Sequence, residues 1–264
     1  MTPASPLAGQ TALVTGGARR LGKAIAIDLA RRGVNLAIHA NCSIDAAQSL
    51  SERLSREHGI QSVAMASNLS SDSAENLISK VRDSLGSLDL LVHSAAVWPK
   101  RSLEETTRDD LRECLEVNTV AAFMLSRAAG LAMAQQEPGG AILLIGDTAT
   151  GPDGAPYPGY PAYHASKAAI PGMTRTLAIE LADRNPRVRV NALLPGPVIC
   201  EHLPVEPDDP EERKAHALRA SLIQTSDAGG YGRAEHVAHA AVALLENPFL
   251  TGVCLPVDGG GRLI

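Results

Sequence analysis

Short apolar runs alternate with longer segments of helical period along almost the whole chain, and a sheet whose strands are separated by helices satisfies both periods. Thr11 to Thr15 reads as a strand, Arg20 to Arg32 as a helix ending at Gly33, and Val34 to His39 as the next strand. A helix from Ile44 to His58 stops at Gly59, a strand follows near Ser62 to Ala66, and a helix from Asp72 to Leu85 stops at Gly86. Glycine at these ends supplies the left-handed residue that closes a helix. Leu88 to His93 is the fourth strand, and a long helix runs from Thr107 to Gln135. Strands at Ala141 to Ile145 and Val188 to Leu193 then flank a helix carrying Tyr163 and Lys167. This rhythm requires right-handed crossovers and a parallel sheet covered on both faces. The predicted architecture is a single doubly wound α/β domain over residues 1–264, with about seven strands. One segment, Cys200 to Gly232, breaks the alternation and reads either as a solvated excursion or as a substrate lid beyond a strand's carboxyl end.

At 264 residues the chain can bury a substantial core, and 45% apolar with only 3% aromatic residues suits helices on a sheet better than an aromatic-rich sandwich. A net charge of -5 offers no basic field for nucleic acid or anionic lipid. Cys42, Cys114, Cys200 and Cys254 show neither Cys-x-x-Cys spacing nor a His cluster, so reduced thiols and no metal site are expected. Met1 to Gly9 has no basic or apolar leader, and the apolar stretch Ala121 to Ala134 is interrupted by Arg127. The expectation is a cytoplasmic protein without a signal peptide or membrane span.

Three stretches carry chemistry. Thr15-Gly16-Gly17-Ala18-Arg19-Arg20-Leu21-Gly22 follows the first strand and opens into a helix, where glycines admit a pyrophosphate close to the backbone and free helix N–H groups bind it. The second strand ends in His39-Ala-Asn41-Cys-Ser43, with no Asp or Glu to hold ribose hydroxyls or repel a 2′-phosphate. Arg19 could pair with such a phosphate, which favours NADP over NAD, although the same polar residues also suit an ordinary turn. Tyr163 and Lys167, four residues apart, share a helix face. Unit charges about 6 Å apart at an effective dielectric of about 20 interact by about 2.8 kcal/mol, enough to lower a phenol's pKa by roughly two units. A Tyr at a helix edge with a solvated Lys would show the same spacing.

Taken together, the chain resembles the short-chain dehydrogenase/reductase family over essentially its full length. The resemblance rests on Thr15 to Gly22, Asn118 in Glu116-Val-Asn-Thr119, Tyr163-x-x-x-Lys167, Asn191-Ala-Leu-Leu-Pro-Gly196, and Thr251-Gly252 with Val257-Asp-Gly-Gly260. It implies that Gly16, Arg19, Arg20, Leu21, Gly22, His39, Asn41, Ser43, Asn68, Leu69, Ser94, Ala95, Ala96, Pro195, Gly196 and Val198 line an NADP site together with Tyr163 and Lys167. It also implies Tyr163 as proton donor, Lys167 as the ribose-holding group that lowers the phenol's pKa, Asn118 in a proton relay, and a homotetramer built on the long helix and the helix bearing Tyr163. Three departures resemble the pteridine reductase and dihydromonapterin reductase branch. Arg20 replaces a glycine, Asp147 stands for the catalytic Ser, and His93-Ser-Ala-Ala96 is followed by Trp98, the sole tryptophan. That branch implies Arg20, Trp98, Asp147 and Tyr163 as pterin-binding residues.

An ionised Asp147 beside Tyr163 would raise the phenol's pKa and oppose Lys167, so Asp147 is expected either to be protonated in the working complex or to be held off the phenol. Pro171 removes the N–H that would bond the Lys167 carbonyl and is expected to kink the Lys167 helix locally. The alternatives are a reductase of a ketoacyl thioester, sugar or small ketone, and a catalytically idle NADP-binding regulator.

Overall fold

A computed structural model describes residues 5–151, 153–154, 156–200 and 232–263. Its centre is a seven-stranded sheet of β1 (Thr11–Thr15), β2 (Asn35–Ala40), β3 (Ser62–Ala66), β4 (Leu90–His93), β5 (Gly140–Ile145), β6 (Val188–Pro195) and β9 (Cys254–Val257), in the order β3-β2-β1-β4-β5-β6-β9. Every neighbouring pair in this sheet is parallel. The order reverses between β1 and β4, where Thr15 lies in register with His93. A crevice opens at the strands' carboxyl ends at such a switch point, and the site residues gather there. Two short strands, β7 (Val198–Ile199) and β8 (Gly232–Arg233), pair beside this end.

The period of two along each strand sorts side chains to the two faces. On β1, Ala12 and Val14 join one core with Ile25 and Leu29 of α1 (Arg20–Arg31), Leu50 and Leu54 of α2 (Ile44–His58), and Val237 and Ala241 of α8 (Ala234–Glu246). Leu13 between them enters the opposite core. There it meets Leu77 and Val81 of α3 (Ala74–Leu85), Leu125 and Met133 of α5 (Ala121–Ala134), and Leu177 of α7 (Ile170–Ala182). Burying each of these Val, Leu, Ile and Met side chains contributes about 1.5–3 kcal/mol. Both β1 faces are therefore apolar, as a doubly covered parallel strand requires. Gly59 and Gly86 close α2 and α3 at φ 68° and 85°, the left-handed ends predicted from sequence.

The expected long helix is instead three pieces. α4 (Arg108–Leu115) starts on a Thr107 and Asp110 capping box, passes through a π turn at Glu116–Val120, and continues as α5. In the π turn the Ala121 N–H reaches back five residues to the Glu116 carbonyl, and Asn118 sits in this widened turn. The run Arg108–Ala134 is 27 residues and apolar enough to cross a membrane by length and composition, but half of its apolar window is buried inside the domain. The irregularity expected at Pro171 goes further than a kink: α6 (Pro161–Lys167) ends before α7, because Pro171 has no N–H for the Lys167 carbonyl. The proposed lid, residues 200–232, lies outside the described residues apart from its two ends.

Candidate active site

The glycine loop after β1 is braced from below. His39 is buried, and its Nδ1 accepts from the Gly16 N–H at 3.4 Å while its Nε2 donates to the Ser67 carbonyl at 2.9 Å. The Gly17 N–H also bonds the His39 carbonyl. Burial lowers the His39 pKa, keeping the ring neutral in this role. His39 therefore supports the loop, while exposed Asn41 and half-buried Ser43 are the groups this strand end presents outward. A Cβ at Gly22 would lie 2.4 Å from the Gly16 carbonyl oxygen, and one at Gly16 would press Ala95 Cα at 2.9 Å. Glycine is thus required for loop, helix and β4 loop to approach one another.

These residues fit a dinucleotide. Among the described residues the first turn of α1 has no side-chain cap and no acidic residue, so the N–H groups of Arg20, Leu21 and Gly22 and the positive end of the helix are available to phosphate. Arg19 is exposed beside them. Asn68 and Leu69 follow β3, where the Asn68 N–H and the Ser67 hydroxyl bond the Asp72 carboxylate, fixing that turn. Pro195 and Gly196 leave β6, held by the Thr148 hydroxyl on the Pro195 carbonyl and by the Gly196 N–H on Val257, with Val198 just beyond.

Thr15 organises the other wall. Its Oγ1 accepts from the N–H groups of Ser94 and Ala95, so its hydroxyl hydrogen is left for Nδ1 of buried His93 at 3.2 Å. Burial, then Lys167 and His39, push His93 down to about 3, and the ring is neutral. Further along, the Val97 N–H donates to Asn118 Oδ1 at 2.9 Å. The Asn118 amide donates to the Val97 carbonyl at 2.8 Å and to Ser166 Oγ at 2.9 Å. Asn118 thereby pins the Ala96–Trp98 segment to α6. Trp98 itself lies under the Arg20 guanidinium, 4.3 Å from the ring centroid. Arg20 takes a left-handed φ of 51°, the only described non-glycine residue to do so.

Tyr163 donates its hydroxyl hydrogen to Asp147 Oδ2 at 2.8 Å, and Asp147 Oδ1 accepts from the Ala149 N–H at 2.8 Å. Asp147 is therefore not held off the phenol as one expectation had it. Lys167, fully buried, donates to the Ile145 carbonyl at 2.7 Å. Burial first, then Asp147, hold the Tyr163 phenol well above the usual value. The expected depression of the phenol by Lys167 is overturned in this arrangement, because a carboxylate touches the hydroxyl and the ammonium faces a carbonyl. Burial also lowers Lys167 to about 8, against the pull of Asp147.

The family model described as Enoyl-(Acyl carrier protein) reductase matches residues 16–261. The chain belongs to the short-chain dehydrogenase/reductase family. It is 33% identical over 251 residues to a human 3-oxoacyl-(acyl-carrier-protein) reductase, covering 95% of this chain and 97% of that protein. It is 38% identical over 194 residues to hydroxynaphthalene reductase arp2 of Aspergillus fumigatus, covering 73% and 68%. A Burkholderia cenocepacia short chain dehydrogenase crystallised in complex with NADP matches with a TM-score of 0.83 at 31% identity, over 97% of this chain and 99% of that one.

The structure brings Asp147, Tyr163, Lys167, Asn118, Arg20 and Trp98 to one end of the sheet. Sequence reasoning missed Thr15 and Ser166 as hubs, though both sit inside quoted motifs. It also missed Tyr157, Tyr160 and His164, whose rings cluster beside Tyr163. Their signal was aromatic residues bunched in a chain otherwise poor in them.

Proposed function

We propose that the chain is an NADPH-dependent reductase that converts a carbonyl group to an alcohol. The observation that carries this reading is the Tyr163 hydroxyl, a protonated donor at the carboxyl end of the sheet with Asp147 and Lys167 around it. The human relative, named as a 3-oxoacyl-(acyl-carrier-protein) reductase, and the Aspergillus relative, named as a hydroxynaphthalene reductase, support a reductase reading. NADPH, when bound, supplies the hydride. The glycine loop and α1 hold its phosphates, and Arg19, Asn41 and Ser43 suit a 2′-phosphate because the β2 end offers no carboxylate. The bound structural neighbour supports the same cofactor.

An entering carbonyl takes the place of Asp147 as acceptor of the Tyr163 hydrogen, and the phenol protonates the developing alkoxide. A phenolate left beside Asp147 is disfavoured by like charge, which drives its reprotonation. Lys167 holds the ribose and supplies the compensating charge. Asn118 keeps the Trp98 segment and α6 in register.

A second reading, reduction of a dihydropterin, is supported by the carboxylate bonded directly to the phenol and by the Arg20–Trp98 stack, which offers a flat face with a cation on its other side. NADPH oxidation with a ketoacyl thioester, a fused-ring ketone, a sugar and a dihydropterin separates the readings. Loss of every rate in Tyr163→Phe is expected, and equal rates with NADH would overturn the cofactor assignment. An idle NADP-binding regulator would turn over none of the four. We also propose a homotetramer, in keeping with half-exposed Leu111, Val120, Phe123 and Met124 along α4, the π turn and α5. A stable monomer in light scattering would overturn it.

A further inference from the structure

His39, near the end of β2, is buried and bonded to backbone through both ring nitrogens. Nδ1 faces the Gly16 N–H at 3.4 Å, which can only donate, and Nε2 faces the Ser67 carbonyl at 2.9 Å, which can only accept. One tautomer satisfies both, the neutral ring with its hydrogen on Nε2. The ring thereby links the glycine loop after β1 to the turn after β3, two segments whose strands are separated by β2. That second turn is itself held, since the Ser67 hydroxyl and the Asn68 N–H donate to Asp72 Oδ2 at 3.0 and 2.7 Å. An imidazolium carries a hydrogen on both nitrogens, so a proton taken up at Nδ1 meets the Gly16 N–H and that bond is lost. The groups around the ring decide when this happens. β1 and β3, which pair with β2, carry no titratable side chain, and among the described residues α1, α2 and α3 bring no charge that acts on the ring. β4 brings His93, neutral at about 3, and the turn after β3 brings Asp72, whose carboxyl the Asn68 N–H and the Ser67 hydroxyl hold below the usual carboxylate range. Burial outweighs the Ser67 bond and the pull of Asp72, and the ring titrates below 6.5.

We propose that His39 is a positioning residue that locks the two turns together while neutral and loosens the cofactor site when it takes up a proton, so that acid gates cofactor binding. The proposal rests on the NADPH reading and adds a regulation of that site. With the phosphates on the glycine loop, and Asn68 and Leu69 of the second turn lining the same site, one strut sets the spacing of both. Binding that needs the neutral ring competes with protonation. Affinity is therefore full above pH 6.5 and falls by up to about tenfold per pH unit once the ring of the free chain titrates. The cofactor's phosphate charge pulls the other way, toward the cation, and the experiment reads which of the two prevails.

The experiment titrates the full chain with the oxidised cofactor, which is stable in acid, by calorimetry between pH about 7.5 and about 5. The cofactor's own 2′-phosphate titrates near pH about 6 with every variant, so the difference from the parent chain is what counts. His39→Asn keeps an acceptor for the Gly16 N–H at the Nδ1 position and cannot titrate, whereas His39→Leu keeps neither bond. At pH about 7.5, His39→Leu is expected to raise Kd about tenfold or more, and His39→Asn to recover most of that loss. Toward pH about 5 the parent chain is expected to lose at least about fivefold more affinity than His39→Asn. An unchanged Kd in His39→Leu, parallel pH profiles, or a parent chain that gains on His39→Asn in acid overturns the gate. If the parent chain binds no cofactor at any pH, the NADPH reading fails and the gate is judged on the free chain by nitrogen NMR. Nδ1 as the bare nitrogen of His39, with a Gly16 amide that exchanges faster once the ring is protonated, supports it. A hydrogen on Nδ1 at neutral pH, or Gly16 exchange unmoved across the titration, overturns it.

Discussion

The Tyr163 hydroxyl and Asp147 Oδ2 are 2.8 Å apart, with the phenol as donor. Burial first, and then this contact in place of the Tyr–Lys coupling that helical spacing suggests, raise the phenol's pKa. The phenol's pKa lies well above its ordinary value of about 10, so the donor form persists through neutral and mildly alkaline pH. Reduction should show no alkaline loss from this group below pH about 10, and the reverse oxidation, which needs the phenolate as base, should be slow there.

Asp147→Asn keeps an acceptor and removes the charge. Initial rates against pH in both directions should show an alkaline limb of reduction that moves down and an oxidation rate at pH about 9 that rises, about tenfold per unit of phenol shift. Asp147 also raises Lys167, which titrates at about 8. In the same variant NADPH affinity should therefore weaken from a lower pH. Unchanged profiles would show that Asp147 does not control the phenol.

His93 makes acid stability a second test. The folded chain holds it at about 3, against 6.5 when exposed, because burial excludes the charged ring. Its folded pKa is depressed, so the unfolded chain binds the extra proton between these values. The contribution is fully present above pH 6.5 and is lost as pH falls toward 3. Thermal melts of His93→Asn should show a shallower decline of Tm over this window than the parent chain. Parallel declines would assign the acid sensitivity elsewhere.

Gly22→Ala places a methyl group 2.4 Å from the Gly16 carbonyl oxygen in the parent geometry. The loop must shift to relieve this. Titration of NADPH fluorescence should give a Kd raised by at least about tenfold, with a lowered Tm. An unchanged Kd would place the phosphates away from this loop.

Arg20 combines a left-handed backbone with its stack on Trp98. Arg20→Gly relieves strain of about 1 kcal/mol and forfeits a cation–π contact of about 0.5–1 kcal/mol, so chemical denaturation should move by less than about 1 kcal/mol either way. Trp98 emission, however, should change at once, since no other tryptophan contributes. Unaltered emission would mean that the stack does not persist in solution.

The alternation of periods and the glycine stops made the doubly wound fold legible, because strand and helix each leave a repeating apolar signature that local chemistry alone produces. Tyr163, Lys167, Asn118 and the glycine loop were legible for a related reason: their spacing is itself the requirement. Boundaries were less so. The π turn at Glu116–Val120 holds Asn118, whose amide reaches Val97 and Ser166 far along the chain, and no local pattern encodes such partners. His39 read from sequence as a ribose neighbour, yet the crossing of β2 under the glycine loop turned its ring inward. Asp147 shows the division most clearly. Its identity as a carboxylate near Tyr163 and Lys167 was in the sequence, but which partner it would take was decided only when β5 and α6 brought Oδ2 to the Tyr163 hydroxyl and sent Lys167 to the Ile145 carbonyl. Spacing along one helix determines which side chains share a face, whereas the charge that governs a buried phenol depends on the groups other elements deliver to it.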